Sequence, residues 1–224
     1  DVYKRQIKGN ISRMNSREEL LNSDLFGDDI NDVLPVILRG KSDSASMDMV
    51  VELLILTGRS LPEEMMMLVP EAWEKHKTMS SSKKAFYQFN SCLMEPWDGP
   101  ASIPFTDGDY IGALLDRNGL RPSRYSVTHD GYVIMSSETG VVDIEPENIK
   151  IHGRLEPGKM FLVNMDEGRI IEDEEIKMEV VKKYPLQPYQ HLPRSLLRPF
   201  WLSQYDPGLY QLGLFSLLMA NTLS

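Results

Sequence analysis

The apolar positions change period part-way along the chain. From Met47 to Leu56 they recur every three or four residues: Met47, Val50, Val51, Leu54 and Ile55 fall on one face. That spacing predicts an amphipathic helix. Ser44 and Ser46 offer N-cap oxygens, and Gly58 supplies the stop. Ser60 and Pro62 then predict the start of a second helix through Met65, Met66, Met67 and Leu68, ended by Pro70. The methionines read as core filler. A third helix is expected over Lys83–Met94, with Phe86, Phe89, Leu93 and Tyr87 facing inward. Ahead of these, Ser16 and Glu19 have capping-box spacing for a short helix toward Leu21. Asp32–Leu38 could form another, with Gly40 closing it.

After Pro100 the pattern turns to short extended runs. Ala101–Thr106, Tyr110–Leu115, Tyr125–Thr128 and Tyr132–Met135 are separated by Asp107-Gly108, Asn118-Gly119 and Asp130-Gly131. Such pairs accept positive φ and are hairpin signals. Met160–Val163 and Arg169–Ile171 flank a further turn at Asp166–Gly168, and Glu172–Lys183 reads as a charged helix. Helices first and an antiparallel meander afterwards predict an α+β fold without βαβ crossovers. Beyond Tyr184 prolines crowd the chain at Pro185, Pro188, Pro193, Pro199 and Pro207, which suggests an irregular linker or docking tail.

Composition narrows the function. The 224 residues carry 24 basic and 33 acidic side chains, a net charge of −9. An acidic chain without a basic cluster is a poor partner for nucleic acid. No apolar run is long enough to span a membrane. The lone Cys92 forms neither an internal disulfide nor a multi-cysteine metal site, which fits a reducing compartment. Its place in a predicted helix, beside Leu93 and Met94, favours a buried inert thiol over a nucleophile. His76, His129, His152 and His191 form no metal-ligand spacing, so no metal site is expected. Glu172-Asp173-Glu174-Glu175 reads as the solvated acidic start of a helix. The turn Asp116-Arg117-Asn118-Gly119-Leu120-Arg121-Pro122 packs an aspartate and two arginines between strands. Either these residues brace the loop or the loop borders a substrate pocket.

Several longer motifs occur in a fixed order. They include Leu25-Phe26-Gly27-Asp28-Asp29, Ser42-Asp43-Ser44-Ala45-Ser46, Gly58-Arg59-Ser60-Leu61-Pro62 and Pro70-Glu71-Ala72-Trp73. Cys92 through Ala101, with Glu95-Pro96-Trp97-Asp98-Gly99-Pro100 at its centre, follows, then Phe105-Thr106-Asp107-Gly108 and Leu115 through Arg124. Ser137 through Asp143 and Gly158 through Val163 complete the series. From about Ile7 to Tyr184 the chain resembles the class II glutamine amidotransferase domain of glutamate synthases, in its second half. Other class II amidotransferases, and a non-catalytic interaction module on the same scaffold, are the alternatives; the Phe26 and Trp97 motifs favour the glutamate synthases.

The resemblance implies a partial αββα N-terminal-nucleophile hydrolase sandwich. It implies a catalytic N-terminal cysteine and an oxyanion-binding Asn-Gly pair, neither of which is in this chain; both are expected upstream. An isolated chain is therefore expected to be inactive. In the family, glutamine is hydrolysed and the ammonia aminates 2-oxoglutarate. FMN and an iron–sulfur cluster serve that step elsewhere in the enzyme, so no cofactor is expected in this stretch. Implied partners are L-glutamine, the other domains of the same large subunit, and a small subunit or ferredoxin. A cytoplasmic location, or a plastid one in a photosynthetic eukaryote, would follow. One site residue carries over: Asp43, implied to receive the α-ammonium of glutamine, with helix capping as its alternative role. Residues 1–6 do not match the family and read as a non-native remnant. Residues 7–184 read as the half-domain, and 185–224 as a linker or a frame-shifted tail.

Overall fold

The structure, a computed structural model, describes residues 30–93, 96, 97 and 99–184. The capping box at Ser16, the remnant at 1–6 and the tail at 185–224 lie outside the described residues.

The helical part begins with a single turn, α1 (Ile30–Val33). It is shorter than the helix expected over Asp32–Leu38, because Leu34 precedes Pro35 and a residue before proline is pushed out of the helical region. Helix α2 (Asp43–Leu56) starts on neither Ser44 nor Ser46. Ser42 is its N-cap, its Oγ accepting the Ala45 N–H at 3.2 Å, and Ser46 Oγ donates back to the Ser42 carbonyl at 2.9 Å. The buried face runs through Ser46, Met47, Val50, Leu53 and Leu54. Ile55, expected there, is exposed. At 3.6 residues per turn Leu53 flanks the Val50–Leu54 stripe, whereas Ile55 lies well round from its centre. Gly58, at φ +86°, ends the helix as expected, its N–H reaching the Ile55 carbonyl at 2.8 Å.

Helix α3 (Leu61–Leu68) follows Ser60 with Pro62 in its first turn, and all eight of its residues are buried. It lies against α2, α4 (Ser81–Leu93) and α5 (Asp173–Lys182). Helix α4 buries Ala85, Phe86, Tyr87 and Phe89; the expected inward side chain of Leu93 lies outside the described residues.

Among the described residues seven strands form two sheets, and every strand pair is antiparallel. The first sheet is ordered β1 (Ser102–Thr106), β2 (Tyr110–Leu115), β6 (Met160–Asn164), β7 (Arg169–Ile171). The second is ordered β4 (Val133–Ser136), β3 (Arg124–Thr128), β5 (Ile149–Arg154). The turns at Asp107-Gly108, Asp130-Gly131 and Asp166–Gly168 join hairpin partners, as expected. The segment holding Asn118-Gly119 does not. It carries the chain from the first sheet to the second, because the free edge of β2 pairs with β6. Strand β5 had no clear signal: its residues are mostly exposed, so no apolar alternation marks them.

Alternation along β2 and β6 sets the layers. Leu114, Met160 and Leu162 join the helical core with Met66, Leu68, Phe86 and Val180. Ala113, Leu115 and Phe161 point the other way, toward Leu155, Tyr125 and Met135 of the second sheet. A strand covered on both faces reads as a continuous apolar run, as Gly112–Leu115 does. The order is thus helices, sheet, sheet. That gives three layers of the expected αββα sandwich among the described residues. Between the sheets lies an open cleft of about 880 Å³, walled by Ile111, Val133, Met135, Ile151, Phe161 and Val163.

Candidate functional site

Asp43 is the first residue of α2. The cap hydrogen bond belongs to Ser42, so the Asp43 carboxylate is not committed to the helix terminus. Among the described residues no side chain pairs with it, and it is partly exposed. A carboxylate at this position still gains from the helix dipole.

The Asp116–Pro122 turn is built differently. Asp116 is buried, and its two oxygens accept the Ala101 N–H at 3.2 Å and the Asn118 N–H at 2.8 Å. The aspartate therefore braces the turn. Arg117, Asn118, Leu120 and Arg121 are exposed around it, and Arg121 Nε donates to the Pro100 carbonyl at 3.3 Å. Gly119 sits at φ +63° with Pro157 against the place where a Cβ would stand. Gly119→Ala should lower stability by about 1–3 kcal/mol, read as a shift in denaturation midpoint. Among the described residues no hydrogen bond or ion pair joins this turn to Asp43, so the structure does not bring the two candidates into contact.

Two buried charge clusters escaped the sequence reading. In the first, Arg59 pairs with Glu63 through Nη1, and Tyr184 donates to Glu63 at 2.6 Å. Glu64 beside them is wholly buried, and among the described residues neither of its oxygens has a hydrogen-bond partner, nor have Nε and Nη2 of Arg59. Burial pushes the Glu64 carboxyl up to about 9, with Arg59 opposing and Glu63 adding to the shift.

In the second cluster, the Lys177 ammonium is buried among three acceptors. These are the Gly158 carbonyl at 2.8 Å, Asp173 at 2.9 Å and Glu71 at 3.2 Å. Asp173 also accepts the Met160 N–H at 2.8 Å, and Glu71 accepts the Tyr87 hydroxyl at 2.9 Å. Burial, then Glu71, holds Tyr87 well above its ordinary pKa, which keeps it a donor. Lys83 meets Glu174 at 2.7 Å, and Glu175 grips Arg169 with both oxygens, at 3.1 and 2.7 Å. The acidic start of α5 is thus ion-paired, not merely solvated. The only signal in the sequence was the four-residue spacing of Arg59–Glu63 and Asp173–Lys177, which also fits solvent-exposed helix pairs.

The remaining candidates are structural or undescribed. His76 Nδ1 accepts the Met79 N–H at 3.0 Å, and His152 Nδ1 lies 3.0 Å from Ser126 Oγ. His191 is outside the described residues, as is the side chain of Cys92, which sits within α4. Among the described residues no three His, Cys, Asp or Glu side chains gather as metal ligands, and no helix is long and apolar enough to cross a membrane.

Comparison with known proteins settles the family. The family model for class II glutamine amidotransferases matches residues 5–191. The chain belongs to the class II glutamine amidotransferases. Among relatives of this amidotransferase, the glutamate synthase [NADPH] large chain of Bacillus subtilis (strain 168) is 50% identical over 183 residues, 82% of this chain and 12% of the relative. The glutamate synthase [NADH] of Schizosaccharomyces pombe is 50% identical over 184 residues, 82% of this chain and 9% of the relative. The ferredoxin-dependent glutamate synthase of Pyropia yezoensis is 49% identical over 202 residues, 88% and 13% of the two chains. The amidotransferase stretch thus spans about a tenth of the length of these relatives, whose names cover different electron donors. The resemblance to the amidotransferase domain of glutamate synthases is borne out.

Proposed function

We propose that the chain is the second half of the glutaminase domain of a glutamate synthase. In that role it helps hydrolyse L-glutamine to glutamate and ammonia, and the ammonia passes within the enzyme to the amination of 2-oxoglutarate. The observation that carries this reading is the 50% identity to a glutamate synthase large chain over 82% of the chain, on a helix–sheet–sheet scaffold of the expected class. The half-domain would be residues 7–184, with 1–6 a non-native remnant and 185–224 a linker or frame-shifted tail.

Asp43 is proposed to hold the α-ammonium of glutamine. Its carboxylate, unpaired among the described residues and set at a helix start, suits a cation, and a charge-assisted contact there is well oriented. The Asp116–Pro122 turn is proposed to border the same pocket, offering exposed donors on a braced loop. The nucleophilic cysteine and the oxyanion donors would come from outside these 224 residues. An iron–sulfur cluster does not fit this stretch, since a cluster takes several thiolates and the chain has one cysteine. FMN and the cluster are therefore assigned to other regions of the large subunit, with a small subunit or ferredoxin as electron source. The compartment would be cytoplasmic or plastidic.

The test is ammonia release from glutamine. A polypeptide of the relatives' length carrying this stretch should hydrolyse glutamine and lose nothing on Cys92→Ala. The 224-residue chain alone should give only background. Turnover by the short chain would overturn the assignment of the nucleophile to another segment. No turnover by the long one would overturn the function.

A further inference from the structure

The buried Lys177 cluster connects directly to the Asp116–Pro122 turn. Gly158, whose carbonyl accepts from Lys177, uses its own N–H to hold the Leu115 and Asp116 carbonyls at 3.0 and 3.2 Å. On the other side, Gly158 lies flat on Glu71, where an added Cβ would stand 2.8 Å from the Glu71 Cβ and 3.1 Å from its Cα. Pro157, one residue earlier, fills the space under Gly119. The Pro157-Gly158 loop is therefore clamped between a helical-layer ammonium and the turn. A buried ammonium is stable only where its donors are all met. Here three acceptors meet them, two on carboxylates fixed in their turn by Met160 and Tyr87. Lys177 has one low-energy place, and Gly158 must follow it.

We propose that Lys177 is a positioning residue for glutamine hydrolysis: through Gly158 it sets the place of the Asp116–Pro122 turn from the helical layer of the domain. The link to glutamine rests on the proposed function above. Lys177 touches no substrate; it fixes the loop that fixes the turn.

The experiment compares Lys177→Met with Val180→Ala in a polypeptide of the relatives' length. Val180 is buried on the same helix and its apolar side chain has no donor for the Gly158 carbonyl, so its variant reports the effect of loosened packing alone. Two readouts are taken. Hydrogen exchange should show the Asn118 and Gly119 amides losing protection in Lys177→Met and keeping it in Val180→Ala. Glutaminase kinetics should show the glutamine KM rising about tenfold in Lys177→Met with a much smaller change in kcat, and neither moving in Val180→Ala. Unchanged protection of the turn in Lys177→Met, or equal loss in both variants, overturns the positioning role whether or not the enzyme hydrolyses glutamine. Lost protection with an unchanged KM overturns the link to glutamine and leaves hydrolysis by the parent enzyme intact.

Discussion

Asp43→Asn, in a polypeptide of the relatives' length, is expected to raise the KM for glutamine about 30- to 1000-fold. That corresponds to roughly 2–4 kcal/mol for removing the charged partner of an ammonium in a desolvated pocket. The effect should fall on KM because the ammonium is remote from the amide being broken. Stability should barely change. Ser42 already supplies the cap, so the substitution removes only a dipole interaction worth about 0.3–1 kcal/mol. A helix-capping role would give the opposite pattern: a lowered melting temperature and an unchanged KM. Steady-state glutaminase kinetics and a thermal melt on the same preparations separate the two.

How legible this was depended on whether the physical signal was local. The helix at Asp43–Leu56 and the hairpins at Asp107-Gly108 and Asp130-Gly131 follow from three- and four-residue spacing and from residues that accept positive φ. Both signals lie within a dozen residues. The destination of β2 does not. Asn118-Gly119 looks like the other turns, yet β2 takes β6 as its partner, some fifty residues on. Turn chemistry states that the chain reverses; it does not state which sheet it re-enters. Strand β5 lacked a signal because its side chains are mostly solvent-facing.

The buried charges were the least visible. Glu63 and Glu64 stand in a helix start, where acidic residues are ordinary, and only the surrounding α2, α4 and α5 remove them from water. By spacing alone Lys177 and Asp173 fit an ordinary solvent-exposed helix pair; only the fold brings the Gly158 carbonyl and Glu71 to the same ammonium. The candidate site divides in the same way. Asp43 was reached through motif order, and the structure adds that its carboxylate is not the cap. The clamp on the Asp116 turn involves residues about sixty positions apart that only the fold brings together.

The adjacent glutamates of α3 should respond oppositely to the same substitution. Glu63 pairs with Arg59 and accepts from Tyr184. Glu63→Gln leaves a buried guanidinium without its counter-charge, which typically costs about 3–5 kcal/mol. Among the described residues Glu64 has no hydrogen-bond partner, and its carboxyl is pushed up to about 9. It is therefore neutral at pH 7, and a glutamine resembles it in shape and charge. In the unfolded chain Glu64 ionises near the ordinary glutamate value of 4.5. The folded state thus holds a proton that the unfolded state releases, and folding is progressively penalised as pH rises from 4.5 toward 9. Glu64→Gln removes that penalty. At pH 7 the gain should be on the order of 3 kcal/mol. It should shrink toward zero near pH 4.5 and be largest near pH 9. Urea denaturation of the parent and both variants between pH 5 and 9 measures this directly. The parent should lose stability as pH rises, Glu64→Gln should lose less, and Glu63→Gln should lie below the parent throughout. A Glu64→Gln variant no more stable than the parent at pH 8 would mean that Glu64 is ionised in the fold, paired with the open edge of Arg59.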